Sequence, residues 1–149
     1  YGSLSEHFFR NIMTAMNADP PETSSVLLVE DNRIDQRVLE KLLAQHERFQ
    51  ATHVFDIEGA IEKLEARSFD CVLLDWHLPD GDGSRLLDHI TQHYPWLPVL
   101  VITGDEEIYR RAFSAGAQNL ILKDRFDANA LEGSIINAIE QKKNANLLL

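Results

Sequence analysis

Four apolar runs in this sequence give way to reactive side chains. Residues 26–29 lead into Glu30 and Asp31, 71–74 into Asp75, 99–102 into Thr103, and 120–122 into Lys123. Together these supply three carboxylates, a hydroxyl and an ammonium. Two carboxylates about 4 Å apart repel by roughly 4 kcal/mol at an effective dielectric of about 20. A cluster of three therefore needs a proton, the Lys123 ammonium or a bridging cation. An all-oxygen set with open water positions suits Mg²⁺. Such a pocket would accept a phosphoryl group, and an aspartate beside the cation can act as nucleophile to form an acyl phosphate. Phosphoryl transfer asks mainly for positioning and charge neutralisation. Thr103 and Lys123 can contribute both.

For these groups to meet, the chain must gather the ends of distant segments. Runs at 26–29, 49–54, 71–74, 99–102 and 120–122 read as strands. The first, third and fourth suit strands buried on both faces of a parallel sheet. Helical stripes lie between and after them: Ile34, Val38 and Leu42; Ile57, Ile61 and Leu64; Leu86, Leu87 and Ile90, ended near Pro95; Ile108, Ala112 and Phe113, closed by Gly116; and Leu131, Ile135 and Ile139. Five strands alternating with five helices predict an α/β fold, a doubly wound parallel sheet with helices on both faces. In an open parallel sheet the C-terminal strand ends share one edge, and ligands bind there where the strand order reverses.

Each residue also has a plainer role. Glu30 and Asp31 suit the positive end of the first helix. Asp75 fits a strand-end turn, and Lys123 a solvated loop. Thr103 and Glu106 have the spacing of a capping box, with Thr103 as N-cap. The joint pattern favours one shared rim, because all these places fall at the same strand end.

The 149 residues include 24 Asp and Glu against 14 Lys and Arg, a net charge of −10, with 44% apolar residues. This acid excess argues against a direct nucleic-acid surface, which is gripped through Lys and Arg. A chain of this length buries about 68–70% of its unfolded surface, enough for a core without staples. The single cysteine, Cys71, excludes an internal disulfide and a cysteine-rich metal site. No apolar run approaches the roughly 20 residues of a membrane span, and no signal-peptide pattern occurs. A reducing cytoplasm is the expected compartment.

In order along the chain stand Val-Leu-Leu-Val-Glu30-Asp31-Asn32, Cys-Val-Leu-Leu-Asp75-Trp-His-Leu-Pro79-Asp-Gly-Asp82-Gly83, Val-Leu-Val-Ile-Thr103-Gly104, and Gly116-Ala117 leading to Lys123. This series resembles the receiver domain of response regulators in two-component signal transduction. The resemblance covers about residues 25–143 and implies a flavodoxin-like sheet of order 2-1-3-4-5. It implies that Asp75 is the phosphoacceptor. Glu30, Asp31, Asp75 and the backbone carbonyl of His77 would hold Mg²⁺, Asp31 directly and Glu30 through water. Thr103 would be the switch hydroxyl, and Lys123 would pair with phosphoryl oxygens. Pro79 and Gly83 would shape the loop into the third helix. The implied partners are a histidine kinase or phosphotransfer protein and a downstream effector domain or protein, with homodimerisation a further option. No enzymatic turnover is implied beyond self-phosphorylation from a phosphodonor and slow autodephosphorylation.

Two positions depart from the family pattern. Leu120 stands where receivers usually carry an aromatic switch residue, which puts the usual coupling to Thr103 in question. Asp124 stands where proline usually follows the lysine, often through a cis bond. A cis Lys123–Asp124 bond would cost about 2.5–4 kcal/mol, so trans is expected. These departures keep open a pseudo-receiver that binds a partner protein without phosphate. Two enzyme classes of similar topology fit less well. Glu30 and Asp31 would repel the phosphate of a flavin cofactor, and an Asp-x-Asp phosphatase motif is broken by His77.

Outside this region, Leu4, Phe8, Ile12 and Met16 recur every fourth position and predict a short amphipathic helix within an arm at 1–24. Asp19-Pro20-Pro21 stops it, and 22–25 reads as a linker. Because the chain opens on Tyr1, the arm is expected to be the tail of a preceding domain, a strut on the main domain or partly an expression remnant. Its His7 lacks the flanking pattern of a phosphoacceptor histidine and reads as a surface residue. His89 and His93 have the spacing of a zinc pair, without an evident third ligand. Cys71 reads as a small buried hydrophobe, Trp76 as flanking the pocket or packing, and the His77 side chain as facing solvent. Residues 144–149 form a tail ending in three leucines that continues the last helix or packs on the arm.

Overall fold

Among the described residues five apolar segments form one parallel sheet: β1 (Ser24–Val29), β2 (Phe49–Val54), β3 (Cys71–Asp75), β4 (Val99–Thr103) and β5 (Asn119–Leu122). The strand numbers refer to this sheet. In this computed structural model, residues 23–123 and 127–147 are described. The amphipathic stretch with His7, the Lys123–Asp124 bond and the last two leucines lie outside the described residues. The spatial order is β2-β1-β3-β4-β5, with every neighbouring pair parallel. This is the flavodoxin-like order expected from the sequence.

Among the described residues five helices cover the sheet: α1 (Arg33–Ala44), α2 (Ile57–Ala66), α3 (Gly83–His93), α4 (Glu106–Ser114) and α5 (Ala128–Leu147). Strand side chains alternate between two cores. Leu27, Val29, Val72, Leu74, Val99 and Val101 pack with α2, α3 and α4. Val26, Leu28, Cys71, Leu73, Leu100 and Ile102 pack with α1 and α5. Because β1, β3 and β4 are covered on both sides, nearly every residue in them is apolar. Full burial of each such side chain is worth about 1.5–3 kcal/mol. Among the described residues no helix is long and apolar enough to cross a membrane.

Two helix faces differ from the expected stripes. Ile34 and Val38 are 74% and 49% exposed, and Leu39 and Leu43 take the core positions of α1. The helix carries two adjacent apolar rows, and periodicity alone does not say which meets the sheet. Phe113 is likewise 60% exposed, while Ile108 and Ala112 pack inward from α4. The remaining stripes face the core, with Ala60 and Ala138 filling in beside larger neighbours. Gly116 has φ of 109° just past α4, the conformation that lets a helix end where glycine stands. α5 runs on through Leu147, so residues 144–147 extend the last helix.

Candidate functional site

Sheet register decides which reactive groups meet. Val29 pairs with Leu74, so Glu30 and Asp75 leave the sheet side by side. Asp75 pairs with Ile102 and Thr103 with Leu122, which puts Thr103 and Lys123 next along the same edge. The Lys123 N–H donates to the Thr103 carbonyl at 3.0 Å.

Glu30, Asp31 and Asp75 each present a carboxylate oxygen, all within 4.8 Å of one another. Glu30 and Asp75 are 1% and 5% exposed, whereas Asp31 is open to solvent. The backbone around Glu30 is pinned: its N–H donates to the Val54 carbonyl at 3.1 Å, and its carbonyl lies 2.8 Å from His53 Nε2. One carboxylate oxygen, Oε1, accepts the Asn32 N–H at 3.1 Å. The other, Oε2, is buried without a hydrogen bond, although Lys123 Nζ stands 3.3 Å away. Burial, and next the charge of Asp75, pushes Glu30 up to about 7. Burial raises Asp75 as well, against the pull of Lys123.

Such a pair shares a proton or takes a cation. Three carboxylates, one facing water, with an orphaned buried oxygen among them, are the donor set of a hard divalent ion such as Mg²⁺. The residues present fit that ion.

Lys123 Nζ lies 2.8 Å from Asp35 Oδ2, 3.3 Å from Glu30 Oε2 and 3.6 Å from Asp75 Oδ1. Burial works against its charge, but the Asp35 hydrogen bond and the Asp75 and Glu30 charges outweigh it and raise the amine to about 12. Asp35 is the residue that the sequence reading missed. It stands in the first turn of α1, where an acidic residue is ordinary, so no local signal marks it.

Thr103 is 1% exposed at the end of β4. It is not the N-cap of α4. That role belongs to Asp105, whose carboxylate accepts the Glu107 N–H at 2.8 Å. The Thr103 Oγ1 instead accepts the Asp105 N–H at 3.2 Å, which pins the turn and keeps the hydroxyl at the rim. The first helix is capped by Asn32, whose Oδ1 accepts the N–H groups of Ile34 and Asp35, and not by Glu30 or Asp31.

The segment after Asp75 is braced from two sides. Residues His77–Leu78 pair antiparallel with Gly81–Asp82, and the Gly83 N–H donates to the Trp76 carbonyl at 2.6 Å. A Cβ on Gly83 would lie 2.9 Å from Trp76 Cε3, so only glycine lets α3 start this close. Trp76 is 1% exposed and packs in the core. The His77 side chain is exposed, as expected. Asp80 receives the Ile57 and Glu58 N–H groups at 3.0 and 3.1 Å, tying the loop to the start of α2.

The remaining candidates carry little chemistry. The His89 and His93 rings are 4.5 Å apart, but among the described residues no group of three metal-ligating side chains includes them. Cys71 is fully buried, and burial pushes its thiol up out of the reactive range.

A parallel sheet of this order with acids gathered at its carboxyl edge defines a receiver-type α/β domain. Residues 26–136 match the family profile described as the response regulator receiver domain. The chain belongs to that family. Similar proteins include the response regulator protein FleR of Pseudomonas aeruginosa, 38% identical over 112 residues, covering 72% of this chain and 23% of FleR. The two-component response regulator ORR1 of Oryza sativa subsp. japonica is 32% identical over 111 residues, covering 66% of this chain and 48% of ORR1. The chain thus spans less than half of either relative. Among solved structures, the signal receiver domain of an HD domain-containing protein from Pseudomonas fluorescens Pf-5 superimposes with a TM-score of 0.76 at 26% identity. That match covers 86% of this chain and 95% of the other.

Proposed function

We infer that this chain is a phosphoacceptor module of a two-component phosphorelay, with Asp75 as the acceptor. The observation that carries this reading is the buried Asp75 carboxylate, grouped with Glu30 and Asp31 and facing the Lys123 ammonium at 3.6 Å. In the proposed step, an Asp75 carboxylate oxygen attacks the phosphorus of a phosphohistidine on a histidine kinase or phosphotransfer protein. A P–O bond forms, the P–N bond breaks, and the departing imidazole nitrogen takes a proton. Glu30, Asp31, Asp75 and the backbone carbonyl of His77 would hold Mg²⁺. When bound, the ion neutralises charge on the transferred group and on the carboxylates around it. Lys123 supplies a second positive charge from the β5 side, and the Thr103 hydroxyl a donor from β4. The acyl phosphate brings a charge of about −1.5 to −2 to the rim. The rearranged surface then binds a downstream domain or protein, in the cytoplasm and without direct contact to nucleic acid. The module is a switch, not an enzyme with turnover.

Incubation with Mg²⁺ and a small phosphodonor tests this reading. The expected result is an intact-mass gain of one phosphoryl group that disappears in Asp75→Asn. No gain in the unmodified protein would overturn it.

A second reading has one observation in its favour. Leu120 stands partly buried against the core in place of a mobile ring, so the family's aromatic output device is missing. A pseudo-receiver that binds its partner without phosphate would tolerate that. A partner affinity equal in the unmodified protein and in Asp75→Asn, with no mass gain, would favour this alternative.

A further inference from the structure

Among the described residues, the ammonium of Lys123 has three carboxylates around it and a hydrogen bond to only one. That one is Asp35, at 2.8 Å; Asp75 at 3.6 Å and Glu30 at 3.3 Å are charge contacts without hydrogen-bond geometry. Asp35 is also the partner best placed to let go. Its side chain is 39% exposed, against 6% for Asp75 and 1% for Glu30. It sits in the first turn of α1, with its backbone N–H held by Asn32 at 3.0 Å, so its carboxylate has a fixed origin. The Lys123 backbone is equally fixed by its bond to Thr103. Only the two side chains need move to separate the pair. The groove beneath them is lined by Val38, Leu39 and Ile102 and opens to solvent on the Asp35 side.

We propose that Asp35 is a positioning residue that holds Lys123 back from Asp75 before phosphorylation, so that the lysine changes partners when the phosphoryl group arrives. The inference rests on Asp75 being the phosphoacceptor. The chemistry favours an exchange. A phosphoryl group offers three strong acceptor oxygens and nearly twice the charge of a carboxylate. The pair with Asp35 is partly exposed and so only modestly stable. Until the exchange occurs, however, the lysine is engaged with a group that takes no part in the transfer. Asp35 therefore slows the gain of phosphate and gives the unphosphorylated state a definite lysine position.

The test uses Asp35→Asn and Asp35→Ser, which remove the charge, and Asp35→Glu, which keeps it one methylene further out. Phosphoramidate with Mg²⁺ is the donor: the Asp75 oxygen bonds to phosphorus, the P–N bond breaks, and ammonia leaves. Asn and Ser variants are expected to take up phosphate about two- to fivefold faster than the unmodified protein, the range set by one partly exposed ion pair. The Glu variant is expected to return to the unmodified rate. A second readout needs neither phosphate nor metal. The ¹⁵Nζ lysine resonance lost in Lys123→Ala should move in the Asn and Ser variants and hold its place in the Glu variant. Equal or slower uptake in Asn and Ser, or an unmoved resonance, overturns the inference alone. An unmodified protein that gains no phosphoryl group overturns the phosphoacceptor reading, and the inference with it.

Discussion

Replacing Glu30 with glutamine is expected to stabilise the metal-free protein at alkaline pH and to leave it nearly unchanged in mild acid. Glu30 titrates at about 7 in the folded chain against an ordinary 4.5. Between those values the folded state keeps a proton that the unfolded state has released, so stability falls as pH rises through that window. Above it, the gap amounts to on the order of 3 kcal/mol held against the ionised folded form, at about 1.4 kcal/mol per tenfold. At about pH 5 the same gap is below about 1 kcal/mol. Glutamine keeps the size of the side chain and the acceptor for the Asn32 N–H, and its amide carries no charge to repel Asp75. For a domain of this size, 3 kcal/mol is roughly 5–15 °C in Tm. Circular-dichroism melts in chelator at about pH 5 and about pH 8.5 measure the difference directly. Millimolar Mg²⁺ at the higher pH is expected to raise the Tm of the unmodified protein more than that of the variant, because the ion has one carboxylate fewer to bridge. An equal gain at both pH values would show that ionisation of Glu30 is not the burden, and a loss at alkaline pH would refute the reasoning.

Gly83→Ala is expected to cost about 1–3 kcal/mol by urea unfolding, since the new methyl would sit 2.9 Å from Trp76 Cε3 and 3.2 Å from Trp76 Cα. Intrinsic tryptophan emission should shift with it. Asp80→Ala removes the acceptor for two N–H groups of α2 and is expected to cost about 1 kcal/mol at neutral pH. Although desolvation opposes it, those backbone donors hold Asp80 below the usual carboxylate range. Its contribution is therefore present above that range and lost as pH falls through the lowered folded value, so variant and unmodified protein should converge in strong acid. Cys71 is expected to react with a thiol reagent only at the rate of global unfolding, because it is fully buried in β3.

The fold was legible where a segment has one way to satisfy its apolar residues. Residues 71–74 and 99–102 are apolar on every position, and only a strand covered on both sides buries them all. Helix faces were less legible where the sequence offers a choice. α1 has Ile34 and Val38 on one row and Leu39 and Leu43 on the next, about 100° apart, and both rows obey the helical period. The choice between them is made by tertiary packing: Leu39 and Leu43 meet Val26, Leu28 and α5, a partner surface that the helical period does not encode. The same ambiguity left Phe113 outside while Ala112 went in. Thr103 and Glu106 had the spacing of a capping box, but Asp105 has the stronger capping side chain and stands two residues closer to the helix. A local competition of that kind is decided by backbone geometry at the turn.

The site shows the same division in sharper form. Glu30, Asp31, Asp75, Thr103 and Lys123 were legible because each breaks an apolar strand at its end, and topology alone brings such ends to one edge. Asp35 breaks nothing. It lies inside an amphipathic helix, where an acidic residue in the first turn is ordinary. Its importance comes from a contact 88 positions along the chain, made by the long Lys123 side chain reaching from the end of β5 to the first turn of α1. The residues proposed to carry the reaction are thus marked by their conflict with local burial, whereas Asp35, proposed to restrain the lysine, conforms to every local preference. A regulatory contact built this way can change without disturbing either the sheet or the acid cluster, which is why its removal is expected to alter the rate of phosphate uptake while the fold and the acceptor stay intact.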